Sequence, residues 1–378
     1  MSTKLDFIFV ISPFLHNKGV SLGTSYDLNY RFTTGINSTN FKYSSINFNL
    51  DKNNKITIDN NHLQNTISNN PEAIILIDGN SHPKDFENVY DNKFLKILKS
   101  CKNFKVCFMP DNFRLLEWSQ DANLIICFSK GAVDWANHVT KSKKFLFYPC
   151  QPMIRHTNVD FDNFSNRPYD FGYIVSTKLF RINFISTLLR LGGNRFSSII
   201  ISSNRTGPLI KSTQDYLNIL TQCKFVFCSR ASVFEKHTYQ STENIPSSEK
   251  ITPGRPSGRI SEAIACGCIP IYWQPIFKSD VISKIIYKIN HSKFTRFFPF
   301  LNLESDPKSM PYDEMDETLL DGIYKVNNAF QAMRIIKKTN KEAIIRKLEK
   351  ADNFYKKYIE PKRFFNFVKN NCAVIKNS

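Results

Sequence analysis

Long hydrophobic runs are missing from this sequence of 378 residues: no stretch reaches the roughly 18 apolar residues that a membrane-spanning helix needs. The first residues carry one lysine, Lys4, and the run Leu5-Asp6-Phe7-Ile8-Phe9-Val10-Ile11, which an aspartate breaks. Neither a signal peptide nor an anchor is expected there, so the protein is read as soluble and cytoplasmic. Metal-ligand spacing is missing too. The nine cysteines are odd in number, and Cys107, Cys127, Cys223 and Cys228 lie inside apolar runs, where a free thiol acts as a small core hydrophobe. Cys266-Gly-Cys268 is too tight for two ordinary zinc ligands, and no His/Cys cluster follows it. No metal is expected. Internal repeats are absent, as are RNA-recognition and helix-turn-helix signatures.

Acidic residues are in short supply. There are 33 Asp+Glu against 51 Lys+Arg, a formal charge of +18. Half of that excess sits in the last 48 residues, Gln331–Ser378, with 13 basic and 4 acidic side chains. Such a surplus points to an anionic partner, whether nucleic acid, a membrane face or a phosphorylated ligand. What the sequence does have is core material: 42% hydrophobic and 13% aromatic residues, enough for two domains and too much for a disordered chain.

Short continuous apolar runs recur between helix-length segments. They are Phe7–Ile11, Ala73–Ile77, Phe104–Phe108, Leu124–Phe128 and Phe145–Tyr148, then Tyr169–Val175, Ser198–Ile201, Phe225–Cys228 and Ile269–Trp273. Continuous rather than alternating runs predict strands buried on both faces of parallel sheets. Helices are expected near Arg181–Leu191 and Thr213–Thr221, while Thr33–Asn70, rich in Asn, Ser and Thr, reads as an edge hairpin or loop. A polar bridge, Gln151–Pro168, separates two such halves. The pattern predicts an α/β protein with two Rossmann-like, doubly wound domains facing across a cleft, the place where such sheets bind ligands. The boundaries are 1–160, 161–335 and a basic helical segment, 336–378. In that segment Thr339-Asn-Lys-Glu342 reads as a capping box and Glu360-Pro361 as a helix end.

The segment richest in chemistry is Pro253–Trp273, PGRPSGRISEAIACGCIPIYW. Pro256 and Ser257 read as a helix start with Ser257 as N-cap, Gly267 as its C-terminal glycine, and Cys268–Trp273 as a strand. Ile260, Ala263 and Ile264 would face the sheet, and Arg259 and Glu262 the opposite side. Gly258 would let a ligand approach the backbone. Arg259 and the first helical N–H groups suit phosphate oxygens, and Glu262 suits a ribose diol. The same spacing also describes a short exposed helix with an Arg–Glu surface pair.

GRISEAIACGCIPIYW resembles the signature of glycosyltransferases with two Rossmann domains, the GT-B class, and most of all the exostosin-like family. Tyr216–Arg230 is similar to that family's approach to the motif, and Arg167-Pro-Tyr-Asp-Phe-Gly-Tyr to the opening of the C-terminal domain in bacterial spore-coat-type glycosyltransferases. The likeness runs from about Arg167 to Phe277. It implies an acceptor-binding first domain, a second domain that binds a nucleotide sugar, and a C-terminal helix that crosses back to the first. Gly258, Arg259 and Glu262, with Arg230 and Lys178, would hold the donor without metal. Two features depart from the pattern. Gly254 stands where retaining relatives carry a second glutamate, which favours an inverting reaction, and Ser229-Arg230-Ala231 replaces Pro-Arg-Gly. The polar stretch Ala231–Gly258 reads as a lid.

An inverting transfer needs a base beyond the strand ends of the first domain. Asp111, Asp78 and His16 are the candidates, each set in residues that also make ordinary turns. Asp160-Phe-Asp162, though spaced like a metal motif, lies in the bridge and reads as solvated. Three functions compete: synthesis of a glycan or polysaccharide, with the basic tail at an anionic membrane; glycosylation of a hydroxymethylated base in DNA, as in phage enzymes of this fold; and a non-catalytic, basic nucleic-acid-binding protein.

Overall fold

The computed structural model describes residues 4–11, 32, 34–50, 56–78, 92–109, 121–128, 130–175, 179–202, 213–229, 258–273 and 321–377. Two sheets organise them. The first holds β1 (Phe7–Ile11), β2 (Tyr43–Leu50), β3 (Ile56–Ile58), β4 (Ile74–Asp78), β5 (Lys105–Met109), β6 (Leu124–Cys127) and β7 (Phe145–Phe147), in the order β3-β2-β1-β4-β5-β6-β7. Only the β2–β3 edge pair is antiparallel. The second holds β8 (Tyr169–Val175), β9 (Ser198–Ser202), β10 (Cys223–Ser229), β11 (Ile269–Trp273) and β12 (Tyr324–Val326), all parallel, in the order β12-β11-β10-β8-β9.

The apolar runs are continuous because both faces of each sheet are covered. On one face of the first sheet, Ile8, Val10, Ile75, Ile77 and Ile125 pack under α1 (Asn60–Asn69), α2 (Asn92–Ser100) and α3 (Lys130–Thr140). On the other, Phe7, Phe9, Leu76, Val106 and Phe108 meet Phe364, Phe365 and Val368 of the last helix. That helix is reached through α7 (Ala329–Lys338), α8 (Lys341–Phe354), a π-helical turn (Tyr355–Ile359) and then α9 (Pro361–Asn377). α7 packs with α4 (Leu179–Gly192) on one face of the second sheet. α5 (Thr213–Leu220) and α6 (Arg259–Ala265) lie on its other face, with Ala351 and Phe354 of α8. The C-terminal segment thus begins on the second sheet and ends as the cover of the first. Asp6 accepts a 2.8 Å ion pair from Lys369 of α9. Burial raises its pKa, but the bond to Lys369 and the nearby lysines outweigh that and hold it below the usual carboxylate value.

Several local expectations are corrected. The helix expected to start at Thr339 is capped by Asn340, whose side chain accepts from the Ala343 N–H at 2.9 Å; Thr339 closes α7 instead, its hydroxyl bonded to Ile335 O. The Thr33–Asn70 stretch holds the edge pair and also the helix α1, capped by Asp59. In the bridge, Asp160 and Asp162 are exposed as expected, and Asp160 caps the one-turn helix Phe161–Ser165, while Gln151 and Met153 are buried.

All nine cysteines are free thiols, eight buried and Cys101 half-buried. Burial pushes Cys150 and Cys372 up to about 12. Burial raises the Cys101 thiol too, but it alone is part-exposed, so a thiol-specific reagent should label the native protein first and slowly at Cys101, and the other eight only on unfolding, as a time course of colour release would show.

Candidate functional site

Open parallel sheets bind ligands beyond their strand carboxyl ends, where the strand order reverses. In the first sheet that point lies between β1 and β4, and in the second between β8 and β10. Asp78 is the last residue of β4, in register with Phe108 of β5. His16 comes five residues after the end of β1, and Asp111 two after the end of β5. In sequence, Asp78 thus ends β4, and His16 and Asp111 come after the ends of its neighbours β1 and β5. Lys178 and Arg230 stand in the same relation to β8 and β10. His16, Asp111, Lys178, Arg230, Gly254 and Ser257 lie outside the described residues, as does the side chain of Asp78.

The remaining candidates are described, and they are buried. α6 is N-capped by Gly258, at φ −56° and ψ −15° with no side-chain cap. Arg259 is 4% exposed and Glu262 0%, which excludes the exposed Arg–Glu surface pair. The helix is enclosed because more than the sheet packs on it. Tyr355 and Ile359 of the π turn share a cluster with Ile260, Ala263 and Ile264; the Cys150 thiol bonds to Ser261; and the His156 N–H donates to Ala265 O at 3.0 Å.

Arg259 and Glu262 are joined by a residue to which no motif in the sequence assigns a role. Tyr216, on α5, accepts a 2.9 Å hydrogen bond from Arg259 Nη1 and donates its hydroxyl proton to Glu262 Oε2. Charges buried this deeply need hydrogen-bonded partners, and one phenol serves both. The relay lies against the carboxyl-terminal half of β10. Burial pushes the Cys228 thiol up, and the Arg259 charge offsets part of that while Glu262 adds to it. A guanidinium and a carboxylate at the ligand-facing end of a parallel sheet can meet a diphosphate and a diol, respectively.

At the far end of α6, Gly267 takes φ +69°, the left-handed conformation expected of it. Arg167, 7% exposed, donates through Nη1 to Cys223 O at 2.7 Å and the Cys268 thiol at 3.3 Å, and through Nη2 to Cys266 O at 2.9 Å. The site helix is thus clamped at its last turn by the residue that opens the second resemblance motif. Among the described residues, no cluster of three or more His, Cys, Asp or Glu could hold a metal ion, and no helix is long and apolar enough to cross a membrane.

No protein-family model matches the chain, and no curated protein matches it. A solved structure does: an alpha-glucosyltransferase in complex with UDP-glucose and DNA containing an abasic site, with a TM-score of 0.50 at 12% sequence identity. The likeness covers 97% of this chain and 99% of that one, so it takes in both sheets. At that identity it speaks for architecture, and the chain has the two-sheet α/β fold of the GT-B glycosyltransferases, with its C-terminal helix crossing back onto the first sheet.

Proposed function

We propose that the protein is a glycosyltransferase that moves a sugar from a nucleotide-diphosphate sugar to a hydroxyl on a DNA base. The observation that carries the donor half is the buried Arg259–Tyr216–Glu262 relay at the carboxyl end of β10. The fold likeness extends over the first sheet, the acceptor side in this reading, to a protein solved with DNA, and the +18 charge suits a polyanion. The exostosin-like motif in the second half supports a second reading, with a glycan as acceptor.

In the proposed reaction the acceptor hydroxyl gives its proton to one of Asp111, Asp78 or His16. Its oxygen then bonds to the anomeric carbon while the bond from that carbon to the diphosphate breaks. The departing nucleoside diphosphate takes the electron pair, and Arg259 meets the developing charge. Glu262 holds the ribose. No step calls for a metal, so transfer should continue undiminished in EDTA.

Radiolabelled UDP-glucose, offered with duplex DNA carrying hydroxymethylated bases and separately with glycan acceptors, tests the proposal. Label in DNA supports it; label only in glycan moves the acceptor to the second reading. If no nucleotide sugar in a broad set is consumed or raises the melting temperature, the protein is a binding module and not an enzyme.

A further inference from the structure

The basic surplus of the last residues plays no part in the donor relay. α9 carries Lys362, Arg363, Lys369 and Lys376 and not one carboxylate. Lys362, Lys369 and Lys376 recur at seven-residue intervals, so they line one side of the helix over about 21 Å, at ~1.5 Å per residue. All three are exposed, while Phe364, Phe365, Val368 and Cys372 are buried against the first sheet.

This line ends in a pocket of about 500 Å³ between α9 and the amino ends of β1, β2 and β4. Lys369 and Lys376 of α9 line it together with Lys4 and Lys42 from the strand amino ends, and Leu5, Ile74 and Cys372 are the apolar part of its lining. Two acids lie among them. Asp6 takes Lys369 at 2.8 Å and accepts the Lys42 backbone N–H at 3.0 Å, and Glu72 lies 3.9 Å from Lys376. Lys4, Lys42 and Lys362 have no carboxylate in ion-pair reach among the described residues.

We propose that the lysine line of α9 and the pocket at its end form a docking track for a nucleic-acid backbone, which runs across the first sheet to the strand amino ends, away from the proposed transfer site. The proposal rests on the DNA-acceptor reading and extends it. A phosphate polymer is favoured because the cations are spread along a line: ~21 Å of duplex passes about six phosphates per strand. A helix that lies in a membrane needs an outward apolar face. The large apolar side chains of α9 face inward, save Val374 and Ile375 near its end. The five-residue strand β1 sets the pocket about 16 Å from the strand carboxyl ends. Contacts there therefore bind the acceptor's flanks and leave the reacting base to the cleft.

The test is a variant with Lys4, Lys42, Lys362 and Lys376 all changed to glutamine. Lys369 is kept because its pair with Asp6 fastens α9 to β1. Labelled duplex is titrated by fluorescence anisotropy across salt concentrations. The wild type should show a steep slope of log affinity against log salt, and the variant a slope smaller by ~0.9 for each phosphate that is no longer neutralised, up to about 3.6. Its affinity at low salt should fall at least tenfold, with the UDP-glucose thermal shift unchanged. Equal slopes and affinities would overturn the track. So would a loss confined to phosphatidylserine vesicles with duplex binding intact, which would make the face a membrane contact. If the fourfold variant folds poorly, Lys362→Gln with Lys376→Gln should still lower the slope by up to about 1.8. If the wild type transfers glucose to DNA but the slopes agree, only the track fails. If the wild type binds no DNA, the acceptor reading fails with it.

Discussion

Changing Glu262 to glutamine should remove half or more of the protein's response to a nucleotide sugar while leaving it folded. UDP-glucose at a hundred times its Kd would stabilise the wild type by ~2.7 kcal/mol. Glutamine keeps the volume of a side chain that is 0% exposed and still offers an oxygen to the Tyr216 hydroxyl. What it loses is the negative charge that would accept the ribose hydroxyls. A hydrogen bond to a charged group contributes ~1.5–3 kcal/mol, so donor affinity should fall by about 10–100-fold. Alanine is the poorer test, because removing one partner of a buried charged network costs about 3–5 kcal/mol by itself. Arg259→Lys should behave like Glu262→Gln, since a single ammonium cannot serve both Tyr216 and a diphosphate as a guanidinium fork can. Tyr216→Phe keeps both charges and removes only the relay, and a smaller loss, of less than about tenfold, is expected. The measurement is the melting temperature with and without UDP-glucose, backed by calorimetric titration. Should both charge variants respond like the wild type, the donor binds elsewhere.

Much of the fold was legible in the sequence because its strands are covered on both faces. Runs such as Phe7–Ile11 and Ile269–Trp273 are then apolar at every position, a pattern that needs no partner to recognise. Elements with little burial were not legible. In α1 only Leu63 and Ile67 are buried, too few to mark a helical period, although its Asp59 cap was in plain view. β12 has three residues and one buried side chain, Val326. The site was half legible. Arg259 and Glu262 stood out as a spaced pair, but their burial depends on the π turn and on residues 150–156, which are distant in sequence. Local spacing placed both on an open face for that reason. Tyr216 lies 43 residues before Arg259 and reaches it only through the packing of α5 on α6.

Arg167→Met should be the most destabilising single change outside the relay. The buried guanidinium satisfies two main-chain carbonyls, Cys223 O on β10 and Cys266 O at the end of α6, and it touches the Cys268 thiol. Methionine fills part of the space but donates nothing. Each buried carbonyl left unpaired costs about 1–3 kcal/mol, so a loss of roughly 2–6 kcal/mol is expected from a total of order 5–15. Lysine should not restore it, because one ammonium cannot reach carbonyls on two sides of the fork. Gly267→Ala attacks the same clamp from the other side. Its Cβ would stand 2.8 Å from Arg167 Nη2 and 3.0 Å from Thr157 Cγ2, at a φ that L-residues adopt only at a cost of about 1–2 kcal/mol. The two changes disturb one contact, so their double variant should lose less than the sum of the singles. Urea titrations of the four proteins measure this directly. Full additivity would mean that Arg167 and Gly267 act separately, and that α6 is not clamped through their contact.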